Sequence, residues 1–243
     1  MASIVRALVL LATALACDRN APPPRGTPAP APAYDRMVQD LARERVALAD
    51  AWRTAADDTG RAAVRDRAAG VLLAALRDRL LPAWNGTPWS FSGTAAAPGT
   101  HPIACGYFVS TALEDAGLAV ERRRLAQQAA EDIILTLVPE SQVARFKRVP
   151  LDTFVAAVAH RGDGIYLVGL DYHVGFLLVE RGQVYFHHAS NFAGAVVREP
   201  ALTSAALARS SYRVVGKMLD PGLIEHWLSG AAIPTHDRRS PPG

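Results

Sequence analysis

Residues 162–198 read GDGIYLVGLDYHVGFLLVERGQVYFHHASNFAGAVVR. Runs rich in Val, Leu, Tyr and Phe, separated by Gly, Asp and Asn, predict strands over 164–170, 173–180, 183–189 and 194–198. A further run, SYRVVGKM, predicts a strand over 211–218. Upstream, apolar periodicity predicts helices over 105–116, 121–137 and 152–160. Helices followed by strands indicate an α+β fold built on an antiparallel sheet.

Taking Arg181-Gly182 as a two-residue turn fixes the register of that hairpin. Glu180 then faces Gln183, and Gly175 faces His188. Side chains alternate between faces, so His173, Gly175 and His188 share one face and His187 points the other way. His173 and His188 become diagonal neighbours, with Gly175 leaving space between them. A three-residue turn would reverse the parity and promote His187.

Further upstream, Met37, Leu41, Leu48 and Trp52 form an apolar stripe at helical spacing. TAADDTG (54–60) interrupts it, and Val64, Ala68, Val71, Leu72, Ala75, Leu76 and Leu80 resume it until Pro82. Residues 34–82 are therefore expected to form a helical hairpin against a main domain over 83–219. Residues 84–104, WNGTPWSFSGTAAAPGTHPIA, are loop-like, and 220–243 form a tail with a short helix and a polar, frayed end.

The amino terminus has its own texture. MASIVRALVLLATALA (1–16) carries one charge and an apolar run too short to span a bilayer, as expected of a secretory signal. Thr13-Ala14-Leu15-Ala16-Cys17 resembles the lipobox of bacterial lipoproteins, which implies cleavage before Cys17 and its lipidation. Ordinary cleavage and secretion is the alternative. NAPPPRGTPAPAPA (20–33) holds six prolines and suits an extended spacer, so 17–33 are expected to tether the domain to a membrane of the cell envelope.

The 243 residues contain 26 Lys+Arg and 23 Asp+Glu, a net charge of +3. So small a surplus predicts no nucleic-acid footprint. With two cysteines, Cys17 and Cys105, neither a disulfide framework nor a Cys-rich zinc module can form. Cys105 opens an amphipathic helix with Phe108, Val109, Ala112, Leu113 and Ala116 on one side. The partial positive charge of a helix start favours thiolate, and the free first-turn N–H of Cys105 can hold an oxyanion. A nucleophilic cysteine also needs an imidazole and a group to orient it. Two imidazoles and a thiol could instead bind zinc, although a helix-start cysteine suits a nucleophile better, so neither metal nor cofactor is expected.

CGYFVSTALEDAGL (105–118), the preceding PWSFSGT loop (88–94), the HVGF strand and FHHAS (186–190) resemble the NlpC-type cell-wall hydrolases of the papain-like cysteine peptidase superfamily, and the related CHAP amidases. The resemblance spans about residues 84–198. It implies a papain-like fold, Cys105 as nucleophile, His173 as base and His188 as the orienting residue. In the CHAP and papain patterns the third residue is often Asn, which makes Asn191 the rival. Trp89 takes the place of the family's oxyanion-assisting Tyr, with Asn85 as a second candidate donor. Ala104 and Gly106 stand where the family has Asp and Ser to hold a muropeptide amine. The implied activity is cleavage of amide bonds, foremost in peptidoglycan peptide stems. Acyl transfer, hydrolysis of another amide or thioester, and a non-catalytic envelope binding module are the alternatives.

Overall fold

The computed structural model describes residues 26–236. The signal, Cys17, the first part of the tether and residues 237–243 lie outside the described residues.

Helix α1 (Ala31–Thr54) begins within the stretch expected to be spacer, because proline is compatible with a helix's first turn. The end of the spacer also packs on the domain: Ala29 N–H donates to the Ala83 carbonyl at 2.8 Å. Tyr34, Leu41 and Leu48 supply the buried stripe of α1. The turn that follows ends at Asp57, whose carboxylate accepts from Gly60 N–H at 2.7 Å and caps α2 (Asp58–Ala75). A π-helical turn (Leu76–Leu80) then leads into α3 (Leu81–Ala83), so the second arm of the hairpin runs to Ala83.

Past the loop lie α4 (Cys105–Asp115), α5 (Arg122–Ala126) and α6 (Ala130–Leu137). The single helix expected over 121–137 is thus two, broken at residues 127–129. Strand β1 (Val143–Lys147), absent from the sequence reading, comes next, then α7 (Leu151–Ala159). The remaining strands are β2 (Gly164–Leu170), β3 (His173–Glu180), β4 (Gln183–Ser190), β5 (Ala195–Pro200) and β6 (Tyr212–Lys217). Helix α8 (Ala205–Arg209) sits between β5 and β6, and α9 (Pro221–Ser229) follows the sheet.

The six strands form one antiparallel sheet in the order β1-β6-β2-β3-β4-β5. Its faces separate by parity. Leu167, Val174, Phe176 and Leu178 pack with α4, α6, α9 and the hairpin in one core. Tyr166, Val168, Leu177, Val179 and Phe186 pack with Phe154 and Val158 of α7 and Leu207 of α8 in the other. Helices cover both faces, which explains why β2 to β4 read as nearly unbroken apolar runs.

The tail is more ordered than expected. Trp227 of α9 is fully buried and its indole N–H donates to the Ala116 carbonyl at 2.6 Å, while Arg65 of α2 pairs with Glu225 at 2.8 Å. Helix α9 therefore fastens the hairpin to the end of α4.

Between the hairpin and α4, Trp84 Nε1–H donates to Tyr34 Oη at 3.0 Å, and Tyr34 O–H donates to Asp115 Oδ2 at 2.7 Å. Burial pushes the Asp115 carboxyl up to about 6. A carboxyl raised by folding contributes stability that is complete below the unfolded value and is lost as pH rises through the folded one. Wild type should therefore lose up to about 3 kcal/mol from this group between pH 4 and pH 7. Asp115→Asn, which can still accept from Tyr34, should remove that part of the slope. Urea unfolding at pH 4, 5, 6 and 7 measures it, and equal slopes in both proteins would refute the assignment.

Candidate active site

Cys105 is the first residue of α4, after Ala104 at φ −85°, ψ 159°. No side chain caps this helix, so its leading N–H groups remain available. The Cys105 sulfur lies close to the backbone N–H groups of Val174, Gly106 and Cys105 itself, which favour its ionised form. The Val174 contact brings the thiol against the start of β3, one residue from His173. Gly106 is sterically required: a Cβ there would stand 2.2 Å from the Ala126 carbonyl oxygen, where α5 ends against α4. A serine side chain at this position would collide with the Ala126 backbone.

The β3–β4 register is that of the two-residue turn, with Glu180 opposite Gln183 and Phe176 opposite His187. Arg181 (φ 50°) and Gly182 (φ 77°) supply the left-handed conformations such a turn demands. His173 Nε2 and His188 Nδ1 lie 2.7 Å apart, joined by a hydrogen bond. The space beside Gly175 is filled, however. A Cβ at Gly175 would stand 2.7 Å from the Phe186 ring and 2.8 Å from His188 Cβ, so this glycine permits packing and leaves no opening. Phe186 stacks on His188 with centroids 3.9 Å apart and meets His173 edge-on at 5.8 Å. Both imidazoles are thereby held in orientation.

A fourth group completes the line. Glu199 of β5 lies opposite Phe186, and its Oε1 is 3.2 Å from His188 Nε2. The sequence reading ended this strand at 198 and missed it. The alternation signal was present, because β4–β5 pairing places Val197 opposite His188 and Glu199 two residues on, facing the same side. An ionised Glu199 accepts from His188 Nε2–H, which leaves His188 Nδ1 as acceptor for His173 Nε2–H. His173 Nδ1 is then the unprotonated nitrogen of that ring.

Burial and the neighbouring His188 push His173 down to about 3. Burial also lowers His188, opposed by its bond to Glu199. Burial raises the Cys105 thiol, outweighing the backbone donors around it. The helix-start expectation of a readily ionised thiol is therefore reversed, because burial of the sulfur disfavours its charged form. At neutral pH the resting pair is a neutral thiol and a neutral imidazole. Among the described residues the sulfur makes no hydrogen bond to a side chain.

Thiol and His173 both line a cavity of about 890 Å³, together with Trp89 and Asn191. The Trp89 indole N–H has no hydrogen-bond partner among the described residues. Asn191 is exposed, lines the cavity and bonds neither imidazole among the described residues, whereas His188 bonds His173. Asn85 does not line the cavity. It belongs to the turn after α3 and packs under Gly26, with its buried Oδ1 unpaired. His187, on the opposite face, lies 5.7 Å from Phe108 with neither ring nitrogen bonded. No group of three His, Cys, Asp or Glu side chains in metal-holding geometry occurs among the described residues, and no described helix is long and apolar enough to cross a membrane. No protein-family model, curated protein or solved structure matches this chain.

Proposed function

We propose that the protein is a papain-like cysteine hydrolase of the cell envelope, lipid-anchored through Cys17, that cleaves amide bonds, foremost in peptidoglycan peptide stems. The observation that carries this reading is the unbroken line Glu199–His188–His173, ending at a cavity that also holds the Cys105 thiol. A buried carboxylate that fixes the tautomer of one imidazole, and through it the next, is how a general base is aimed. In the absence of substrate such catalytic hydrogen bonds are often long or unformed.

His173 Nδ1 takes the thiol proton as sulfur attacks the scissile carbonyl. The backbone N–H of Cys105 and the Trp89 indole N–H hold the oxyanion. The protonated His173 gives its proton to the leaving amine, and the carbonyl carbon stays on sulfur as a thioester. His173 then deprotonates water, which releases the acid and restores the thiol.

Because the imidazole is depressed well below its usual range, the acid limb of kcat/KM should lie below about pH 5 instead of near 6.5. The raised thiol should alkylate with iodoacetamide more slowly than free cysteine at pH 7, gaining rate only above the ordinary thiol range. Amine release from stem peptides across pH 4–9, with alkylation rates measured in parallel, tests both. An acid limb at 6.5, or rapid alkylation at pH 6, would contradict the neutral pair.

A further inference from the structure

Phe91 is 89% exposed, Tyr172 99% and Phe192 47%. These side chains sit in three separate connections, the loop before α4, the β2–β3 turn and the β4–β5 turn, and all three line the cavity that holds Cys105. Aromatic rings so exposed add little to the core, and a cluster of them about one opening marks a recognition surface. Beneath them the cavity lining is mostly apolar, with Ala104, Ala126, Leu170 and Ala206 among its residues. At about 890 Å³ it lies within the range of ~300–1,000 Å³ typical of sites that enclose a whole small ligand.

One basic side chain lines it. The Arg209 guanidinium lies 4.9 Å from the Phe192 ring centroid and makes no ion pair among the described residues. The acidic residue of the cavity, Asp171, is engaged structurally. Its Oδ2 accepts from Ser211 N–H at 2.7 Å, from Ser211 Oγ at 3.2 Å and from Ser210 Oγ at 3.1 Å, which ties the β2–β3 turn to the chain entering β6. Beside the thiol, Ala104 and Gly106 offer no polar side chain.

We infer that the site takes an amphiphilic acyl amide: an apolar acyl group held by Phe91, Tyr172 and Phe192, and an anionic carboxylate or phosphate paired with Arg209. This rests on the hydrolase reading above and narrows its substrate class away from stem peptides with a free amine. The step balances as before. The amide C–N bond breaks, the acyl carbon passes to sulfur, the amine leaves with the proton from His173, and water returns the fatty acid and the thiol.

The test is a substrate panel on the full chain: N-decanoylglycine, N-decanoylphosphoethanolamine, N-decanoylglycinamide, N-acetylglycine and L-Ala-γ-D-Glu. Amine release is read as kcat/KM, and binding to the Cys105→Ala protein is read by calorimetry. Decanoyl substrates should exceed N-acetylglycine by about 100-fold, and Tyr172→Ser with Phe91→Ser should lower that preference at least about tenfold. Arg209→Gln should narrow the advantage of the anionic decanoyl amides over decanoylglycinamide by about tenfold. The ratio of the first two substrates tells carboxylate from phosphate. Preference for L-Ala-γ-D-Glu, or no chain-length preference, overturns this inference and leaves the hydrolase reading standing. If no amide is turned over in a Cys105-dependent way, the hydrolase reading falls. Calorimetry on the Cys105→Ala protein then decides ligand class alone, and failure to bind N-decanoylglycine better than N-acetylglycine overturns it.

Discussion

Cys105→Ala is expected to lower amide hydrolysis by at least about 10⁴-fold while leaving the fold intact. The size follows from the chemistry: no other thiol lies among the described residues, and the remaining groups of the cavity can bind and polarise a carbonyl but cannot attack it. Retained folding follows from the local structure. Cys105 is a half-buried residue at the head of a helix, alanine is the best helix former, and the thiol makes no hydrogen bond to a side chain among the described residues. The unfolding midpoint should therefore shift by no more than about 1 kcal/mol equivalent. Groups that act as a unit are not additive, so Cys105→Ala combined with His173→Ala should be scarcely slower than Cys105→Ala alone. A double variant a further 10³-fold slower would show that the imidazole works on something other than this thiol.

Glu199→Gln should lower kcat by about 10²–10⁴-fold with a much smaller effect on KM. Glu199 touches no substrate and is a positioning residue, so the readout must separate positioning from simple support. A glutamine amide can present its NH₂ to His188 Nε2 and force the proton to Nδ1. That opposes His173 Nε2–H and shifts the His173 proton to Nδ1, the nitrogen needed as base. Glu199 also raises His188 toward the ordinary imidazole range, so its loss should change the pH profile of kcat/KM as well as its height. Glu199→Asp keeps the charge and should recover part of kcat. If Glu199→Gln lowers thermal stability but leaves kcat and the pH profile untouched, the carboxylate is structural.

The contrast between these two residues shows where sequence carries the site and where it does not. Cys105 and the His173–His188 pair were legible because each depends on local rules: a helix start, a two-residue turn with Arg181-Gly182, and alternation along two adjacent strands. Glu199 depends on a second register, β4 against β5, and its strand runs two residues beyond the apolar run that announces it. Strand β1 escaped for a related reason. Its five residues, VARFK, carry little apolar periodicity, and their partner β6 lies some 65 residues downstream. The thiol's environment was not legible at all. That a helix start raises acidity is local, but the burial that reverses it arises only when distant parts of the chain pack around the sulfur. Likewise Gly106 read as a lost polar contact until the Ala126 carbonyl beside it gave a steric reason. The short helix of the tail was legible as a helix but not as a packed one, although Leu223, Ile224, Trp227 and Leu228 form an apolar face whose width signals burial, and that face covers the hairpin.

In the proposed reaction the Cys105 sulfur, served by His173, carries the acyl group. That step is tested most directly by mixing the full-length protein with an activated acyl ester, quenching in acid and mapping the acylated peptide by mass spectrometry. Wild type should carry one acyl group on the peptide containing Cys105, formed at least about 10²-fold faster than in His173→Ala, and Cys105→Ala should carry none there. Acylation elsewhere in the cavity, or equal rates in wild type and His173→Ala, would contradict it.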